Sequence, residues 1–294
     1  MSGIRTVGVV GAGLMGAGIA QAAASAGFDT IVRDVDELAL RRARAGMEKS
    51  TGKFVEKGQM TAEARMIALG RVTTTTELGD IAAADLVIEA VPENVDAKLD
   101  LFRELNSVCP HTTAFASNTS SISIGVLGAG SGRADRFVGM HFFNPVPMMP
   151  LVEVVRGVAT STETYDAALG FVRKLGKETV EAKDVPGFVV NLLLVPFLLD
   201  AVRALERGVA STVDIDRGMA LGCGHPMGPL MLLDFVGLDT VVRISEILHA
   251  GYGEERYAAP ALLKRLVAAG SFGKKNGRGF YDYSSGTAVA ADIP

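Results

Sequence analysis

His141 and Glu153 are the two residues of this sequence whose types and spacing best fit proton-transfer chemistry. Of the four histidines, only His141 closes an apolar run, residues 136–140, of the kind that forms a buried strand. A neutral imidazole, with a pKa of about 6.5, can accept a proton from an alcohol as hydride leaves. Glu153 lies in the next apolar run, residues 151–155, where an unpaired carboxylate is costly to bury. The pair predicts a general base and the carboxylate that orients it, although a structural hydrogen bond explains the pattern equally well.

A glycine-rich turn is the second feature with a chemical meaning. The sequence Gly-Ala-Gly-Leu-Met-Gly at residues 11–16 follows an apolar run at residues 4–10 and opens a helix of small residues. In such a turn Gly11 permits the tight bend, Gly13 lets the backbone approach a pyrophosphate, and Gly16 lets the helix pack on the strand. The pattern predicts a dinucleotide site.

An acidic residue completes this unit. The N–H groups at the start of the helix, near Leu14 and Met15, would face the phosphates. A second strand, residues 30–32, ends at Asp34, whose carboxylate can accept hydrogen bonds from both ribose hydroxyls and would repel a 2′-phosphate. NAD is therefore favoured over NADP, although the neighbouring Arg33 weakens that preference.

Other polar residues follow predicted strands or interrupt apolar ones. Asn118, Ser120 and Asn144 can polarise a carbonyl or position a nicotinamide, but the same residue types favour turns. Ser120 or Ser121 can equally be a helix N-cap. Asn191 lies within the most apolar predicted helix, where a buried amide needs partners, so it is either a packing anchor or a substrate contact.

The predicted strands place these residues at one edge of a sheet. Apolar runs alternate with helical stretches up to residue 183, which is typical of a parallel, doubly wound, Rossmann-type sheet. Three of the runs end in polar clusters. The runs are residues 86–90, 113–117 and 136–140, and the clusters are residues 92–94, 118–121 and 141–145. Because ligands bind outside the carboxyl ends of strands in open α/β sheets, we expect these clusters to form one site.

Charged residues near the predicted helices are harder to interpret. The helical region 37–57 is basic and is most simply an exposed face, although Lys57 can meet an acidic or phosphorylated substrate. Glu93 and Lys98 lie at the start of a helix beyond a strand end. Either of them can be a solvated charge or a site residue.

Length and composition limit the classes of protein. The 294 residues are 48% hydrophobic and 21% charged, which is ordinary for a globular protein of two domains. A net charge of −4 gives no electrostatic reason to bind nucleic acid or an anionic membrane. Two cysteines provide neither a disulfide framework nor metal-ligand spacing, and the first strand leaves no room for a signal peptide, so we expect a cytoplasmic protein without a metal. The most apolar stretch, residues 185–199, is too short and too interrupted to span a membrane.

The pattern changes after residue 184. Strand signals become rare, and helices are predicted at residues 187–207, 212–221, 228–250 and 259–269, the second behind a Ser211 or Thr212 cap. The tail from Thr287 has the composition of a frayed terminus. We therefore expect a sheet domain at 1–184 and an all-α domain at 185–294.

Several of these motifs together resemble the 3-hydroxyacyl-CoA dehydrogenase family, in the branch of stand-alone 3-hydroxybutyryl-CoA dehydrogenases. The resemblance extends over nearly the whole chain, in order, and no hydratase domain is present. The matching segments are residues 11–21, 116–121, 141–147, 151–154, 186–191, 225–229, 234–239 and 272–281.

The resemblance implies hydride transfer between NAD and the third carbon of a short (S)-3-hydroxyacyl-CoA. His141 would be the general acid and base, and Glu153 would orient it and balance its charge. Ser120 and Asn191 would hydrogen-bond the reacting oxygen and the acyl carbonyl. A homodimer through the helical domain is also implied.

The resemblance also implies binding residues for cofactor and substrate. Asp34 would hold the adenosine ribose, and Ser50 and Lys57 match positions that touch CoA. The remaining residues expected to line the NAD site are Glu93, Lys98, Asn118, Ser120, Asn144 and Lys275. Gly52 lies within the helical stretch that carries the CoA positions, although glycine is unfavourable inside a helix.

Two other functions fit part of the sequence. The first is a dehydrogenase for a free hydroxy acid or sugar acid, which the Phe142-Phe143 pair and the basic helix disfavour. The second is a non-catalytic NAD-binding protein on the same scaffold, for which His141, Glu153 and Ser120 would have no purpose.

Overall fold

The computed structural model describes residues 3–292, which form two compact units that meet in sequence between Phe188 and Val189. The first unit is a sheet flanked by helices and the second is mainly helical, so the predicted fold class is confirmed. Among the described residues, no helix is both long enough and apolar enough to cross a membrane.

A single twisted sheet organises the first unit. Its strands in the described part of the chain are β1 (Thr6–Val10), β2 (Asp29–Arg33), β3 (Val72–Thr75), β4 (Leu86–Glu89), β5 (Ala114–Ser117), β6 (Phe137–Phe142), β7 (Leu151–Arg156) and β8 (Glu178–Lys183). Their spatial order is β3-β2-β1-β4-β5-β6-β7-β8. The strand order reverses between β1 and β4, and a ligand crevice is expected at the carboxyl ends of strands beside such a switch point.

One strand pair of the sheet, β6 and β7, departs from the predicted parallel arrangement. β6 pairs antiparallel with β7, whereas β7 and β8 are parallel to each other. The physical reason is the connection: a short loop joins β6 to β7, whereas a parallel pair needs a crossover such as the helix that joins β7 to β8. β6 also extends to Phe142, so His141 lies within the strand rather than after it.

Helices cover both faces of this sheet. They are α1 (Leu14–Ser25), α2 (Glu37–Glu56), α3 (Ala62–Gly70), α4 (Val95–Val108), α5 (Ile124–Gly130) and α6 (Thr162–Lys174). Residues of β1, β4, β5 and β6 are buried on both faces, which explains their nearly continuous apolar sequences. Gly52 does not interrupt α2, so the basic region is one continuous helix of 20 residues.

The second unit differs from its prediction at two places. Its helices are α7 (Val190–Glu206), α8 (Thr212–Cys223), α9 (Pro229–Val236), α10 (Leu238–Tyr252) and α11 (Ala261–Ala268). The helix predicted at 228–250 is two helices, because Gly237 adopts a φ of 101°, which a helix cannot contain. The prediction of a frayed tail is also wrong: β10 (Val289–Ala290) pairs antiparallel with β9 (Tyr281–Asp282).

The segment 184–188 belongs to the sheet unit rather than to the helical one. The Asp184 carboxylate accepts hydrogen bonds from the backbone N–H groups of Ile124 and Gly125, both at 2.8 Å, at the start of α5. The Phe188 side chain is buried in the core of the first unit. These contacts place the last residue of that unit four positions after the end of the predicted domain at 184.

Candidate active site

The glycine turn has the geometry that a pyrophosphate requires. Gly11 has a φ of 103°, and a Cβ there would lie 2.6 Å from the Ala90 carbonyl oxygen. A Cβ on Gly16 would overlap the Gly11 carbonyl oxygen. Gly13, in contrast, faces open space and precedes α1 without a side-chain cap. The first N–H groups of α1 are therefore available to an anion, and these residues fit a dinucleotide cofactor.

Asp34 lies beside this turn, just after β2. Its Oδ2 accepts a hydrogen bond from the Ala12 N–H at 2.7 Å, and its Oδ1 accepts one from the Asp36 N–H at 3.0 Å. The carboxylate is thus fixed by backbone donors at the edge of the turn. The Arg33 guanidinium is directed to the other side, where its Nε donates to the Thr76 carbonyl oxygen at 3.3 Å.

The antiparallel pairing of β6 and β7 places His141 directly opposite Glu153. The His141 Nδ1 lies 2.7 Å from the Glu153 Oε2, and both residues are buried, Glu153 completely. An imidazole held in this way by a carboxylate has its tautomer and ring orientation fixed. The ring nitrogen on the other side, Nε2, is then the atom that can exchange a proton with a ligand.

Two aromatic rings pack beside the His141 imidazole. The Phe143 ring centroid lies 4.6 Å from that of His141, and the Phe188 centroid lies 5.7 Å away. Phe188 has a φ of 49°, which is unusual for a residue with a side chain and is found where the surroundings enforce it. Sequence reasoning did not select Phe188, although its place after Pro-Gly marks a special backbone conformation.

The loop after β5 contains Ser120 and is held by Glu93. The Glu93 Oε1 accepts hydrogen bonds from the Ser120 N–H at 3.1 Å and from the Ser121 hydroxyl at 2.8 Å. The alternative that Ser120 or Ser121 caps a helix is wrong, because the N-cap of α5 is Ser123. The predicted polar cluster therefore includes a carboxylate that fixes the backbone of Ser120.

Lys98 is fully buried between two carboxylates, so its interpretation as a solvated charge is wrong. Its Nζ lies 2.5 Å from the Glu89 Oε1 and 3.2 Å from the Glu93 Oε2. Burial raises the pKa of Glu89 above its usual value, although Lys98 opposes this. Burial also acts to raise the pKa of Glu93, but the charge of Lys98 and the hydrogen bonds from Thr119 and Ser121 outweigh it and lower that pKa.

Sequence reasoning overlooked Glu89, the last residue of β4. It is as deeply buried as Glu153 and, like Glu153, is the one carboxylate of an apolar strand run. The cost of burying an unpaired charge, which pointed to a partner for Glu153, applies equally to Glu89 and could have identified it.

The two asparagines of the sheet unit that were predicted as site residues, Asn118 and Asn144, follow neighbouring strands. The Asn118 Oδ1 accepts a hydrogen bond from the Phe142 N–H at 2.9 Å and so links the ends of β5 and β6. Asn144 is exposed and precedes a cis peptide bond to Pro145.

The remaining predicted residues lie elsewhere in each unit. In the second unit, Asn191 is partly buried in the first turn of α7, and the exposed Lys275 pairs with Asp239 at 2.5 Å. In the first unit, Ser50 is partly buried on α2 and Lys57 is exposed just after it. Lys57 lines a cavity of about 620 Å³. Other residues lining that cavity are Gln21, Phe54, Met60, Met148, Lys174 and Lys177.

A phosphate-binding turn at the switch point of a Rossmann-type sheet, with a histidine oriented by a carboxylate in the same unit, is the arrangement of a nicotinamide-dependent dehydrogenase. The family models agree with this class. The model for the 3-hydroxyacyl-CoA dehydrogenase NAD binding domain matches residues 6–185, and the model for the C-terminal domain of the same family matches residues 187–283. The chain belongs to the 3-hydroxyacyl-CoA dehydrogenase family, and its cofactor is NAD.

Individual relatives match this chain over nearly its whole length and over nearly the whole of their own. A probable 3-hydroxybutyryl-CoA dehydrogenase of Deinococcus radiodurans is 49% identical over 94% of this chain and 99% of that protein. The 3-hydroxybutyryl-CoA dehydrogenase of Bradyrhizobium diazoefficiens is 45% identical over 95% of this chain and 96% of that one. Among solved structures, (S)-3-hydroxybutyryl-CoA dehydrogenase PaaH1 of Ralstonia eutropha has a TM-score of 0.91 and 44% identity, covering 96% of this chain and 99% of that one.

Proposed function

We propose that this enzyme interconverts (S)-3-hydroxybutyryl-CoA, or another short-chain (S)-3-hydroxyacyl-CoA, and the corresponding 3-oxoacyl-CoA with NAD. The names of its relatives support the substrate class. The single observation that carries the mechanism is the 2.7 Å contact between the buried His141 Nδ1 and Glu153 Oε2.

His141 transfers the proton in this proposal. When bound, NAD supplies the acceptor for the hydride that leaves the third carbon of the substrate. The His141 Nε2 accepts the proton of the substrate hydroxyl in the same direction of reaction, and the Glu153 carboxylate stabilises the imidazolium that results. In the reverse direction, the imidazolium returns the proton to the oxygen of the 3-oxo group.

Two polar side chains hold the substrate oxygens. Ser120 hydrogen-bonds the reacting oxygen, and Asn191 hydrogen-bonds the acyl carbonyl. The hydrogen bond from the Ser120 N–H to the Glu93 carboxylate supports this role. A hydrogen-bond donor stabilises a transition state best when its position is fixed before the substrate binds.

Further residues hold the cofactor and CoA in this proposal. Asp34 accepts hydrogen bonds from the adenosine ribose, and the turn with Gly11, Gly13 and Gly16 and the first α1 residues, Leu14 and Met15, holds the pyrophosphate. The rest of the NAD site is formed by Glu93, Asn118, Ser120, Asn144 and Lys275, and the buried Lys98 contributes to it through its ion pair with Glu93. Ser50 and Lys57 contact CoA, for which the cavity beside Lys57 gives support.

A homodimer through the helical unit is also proposed. This unit exposes several large apolar side chains that a partner copy would cover. They are Leu193, Val209, Val213, Leu221 and Phe235. Sedimentation of the purified protein tests the proposal, since a mass of one chain at micromolar concentration would contradict it.

The deciding experiment follows NADH absorbance after addition of acetoacetyl-CoA, with acetoacetate and NADPH as parallel controls. Fast oxidation of NADH by the thioester alone supports the reaction class, the requirement for CoA and the role of Asp34. Activity with the free acid but not with the thioester would indicate a dehydrogenase for free hydroxy acids. Inactivity with both, despite measurable NADH binding, would contradict the proposed function.

A further inference from the structure

Glu89, Lys98, Glu93 and Ser117 form a buried cluster beneath the Ser120 loop, which we call the Glu89 cluster. Glu89 ends β4, Lys98 lies on α4, and Ser117 ends β5. The exposed fraction of the side chain is 1% for Lys98 and 0% for Glu89. A buried lysine requires charged or hydrogen-bonding partners, and here two carboxylates and the Val91 carbonyl oxygen supply them.

Two routes lead from Glu89 to the Ser120 loop. In the first, Glu89 holds Lys98, Lys98 holds Glu93, and Glu93 accepts the hydrogen bond from the Ser120 N–H. In the second, the Glu89 Oε2 accepts a hydrogen bond from the Ser117 hydroxyl at 2.6 Å, and the Ser117 Oγ accepts one from the Thr119 N–H at 3.2 Å. Both routes end on adjacent residues of one loop.

The burial of Lys98 determines how its charge acts. Because its side chain is almost inaccessible, the ammonium group affects a ligand through Glu93 rather than by direct contact. Glu89 lies one step deeper and faces Lys98, the Ser117 hydroxyl and the Val91 N–H. An apolar core would serve the stability of the strand at least as well as a buried ion pair, so stability alone does not explain these charges.

We infer that Glu89 is a positioning residue for Ser120, acting through Lys98 and Glu93 and through Ser117. This inference rests on the proposed function, because Ser120 is there the donor to the reacting oxygen. Removal of the Glu89 charge leaves Glu93 as the one carboxylate that pairs with the Lys98 ammonium, so Glu93 and the Ser120 loop shift together. Small displacements of a catalytic donor lower turnover without abolishing binding.

A double-mutant cycle tests this inference. Glu89→Gln, Ser120→Ala and the double variant are compared with the unaltered enzyme for kcat, for KM with acetoacetyl-CoA and for the Kd of NADH. Thr113→Val is the matched control, since its buried hydroxyl donates to the Ala84 carbonyl oxygen at 2.9 Å near the opposite end of β5. We expect that control to lower thermal stability but to leave kcat within about twofold.

The expected result is non-additivity. Glu89→Gln lowers kcat roughly tenfold in the unaltered enzyme but less than about twofold in the Ser120→Ala background, with the NADH Kd changed less than about threefold. Equal losses in both backgrounds would overturn the inference while the proposed function stands. No NADH oxidation by the unaltered enzyme would overturn the function, and this inference with it.

A milder variant guards against misfolding of Glu89→Gln. Ser117→Ala removes only the second route and leaves the charges in place. In the same cycle we expect Ser117→Ala to lower kcat roughly threefold in the unaltered enzyme and to have no effect on kcat in the Ser120→Ala background. A loss from Ser117→Ala that persists in the Ser120→Ala background would contradict the positioning role.

Discussion

The buried carboxylates of the two units have different partners. In the sheet unit, Glu153 meets the imidazole of His141 and Glu89 meets the ammonium of Lys98. In the helical unit, Asp216 accepts hydrogen bonds from the Leu230 and Met231 N–H groups and the Tyr281 hydroxyl.

Asp234 of the helical unit has partners of the same neutral kind. It accepts from the N–H groups of Phe280 and Tyr281 and from the Tyr283 hydroxyl. These bonds join the end of α9 to residues 280–283, the segment that contains β9. Burial, with a smaller contribution from the nearby Asp216, raises the pKa of Asp234 to about 6 against the opposing effect of these donors.

The chemical nature of the partner indicates the role of a buried carboxylate. A carboxylate bound by N–H groups and hydroxyls fixes the backbone, because its donors do not change charge near neutral pH. A carboxylate bound by an imidazole fixes a group that can gain or lose a proton. Burial alone therefore does not mark a catalytic acid, whereas the chemistry of its partner does.

Replacement of the ionisable partner should have the largest effect. We expect His141→Gln to lower kcat by roughly 10²–10⁴ with little change in NADH affinity, because the proton acceptor is lost while the nucleotide site is intact. Steady-state turnover of acetoacetyl-CoA and NADH fluorescence measure the two quantities. The exposed His111→Gln is the control, and a loss below tenfold for His141→Gln would end the assignment of the base.

Replacement of a carboxylate in the helical unit should change stability instead. Asp234→Ala leaves three donors without their acceptor and should lower the free energy of unfolding by about 3 kcal/mol. Turnover per folded molecule should change less than about threefold. Urea denaturation measures the first quantity, with the exposed Asp200→Ala as control. An unchanged denaturation midpoint, with turnover reduced more than tenfold, would show that Asp234 serves catalysis rather than stability and would contradict this prediction.

Asp34 is an intermediate case between the two kinds of carboxylate, because it lies in the sheet unit but accepts hydrogen bonds from backbone N–H groups. We expect Asp34→Ala to weaken NADH binding by about tenfold and to leave the kcat at saturating NADH nearly unchanged. Asp29→Ala, an exposed aspartate at the start of the same strand, is the control. Unchanged NADH affinity would refute the ribose contact.

The raised pKa of Asp234 should make the free energy of unfolding depend on pH. Because its folded pKa of about 6 exceeds the unfolded value near 3.8, the folded state binds the extra proton, and stability falls as pH rises from about 4 to about 6. Between pH 5 and pH 7 this residue should cost about 1 kcal/mol. Denaturation of the protein and of Asp234→Asn at both pH values tests this, since the variant should lack that component. An identical slope in both proteins would contradict it.

Sequence patterns predicted the parts of the fold that rest on local interactions. The strand, glycine turn and helix at residues 4–26 were located almost to the residue, and the N-cap of α8 is Ser211, one of the two residues predicted for it. The family and the cofactor were also predicted from the motifs and are confirmed. Residue types in these motifs are restricted by backbone geometry, and that restriction is visible in the sequence.

Other features depended on neighbours distant in sequence. β3 was not located because its sequence, Val-Thr-Thr-Thr, lacks a long apolar run and gains order by pairing with β2. The 228–250 region looked like one helix, because its apolar spacing continues past Gly237. The pairing of β9 with β10 was invisible, since strands of two residues leave no periodic pattern.

The glycine turn, the order of the two domains and the choice of His141 and Glu153 as candidate residues could be read from the sequence, because glycine geometry, apolar periodicity and the cost of buried charge act locally. The antiparallel pairing of β6 and β7, which sets those two side chains opposite each other, is visible in the folded structure but not in the sequence. The folded structure alone revealed that Glu89 and Lys98 meet beneath the Ser120 loop. Contacts between side chains far apart in the chain depend on strand register and packing, which are properties of the whole fold.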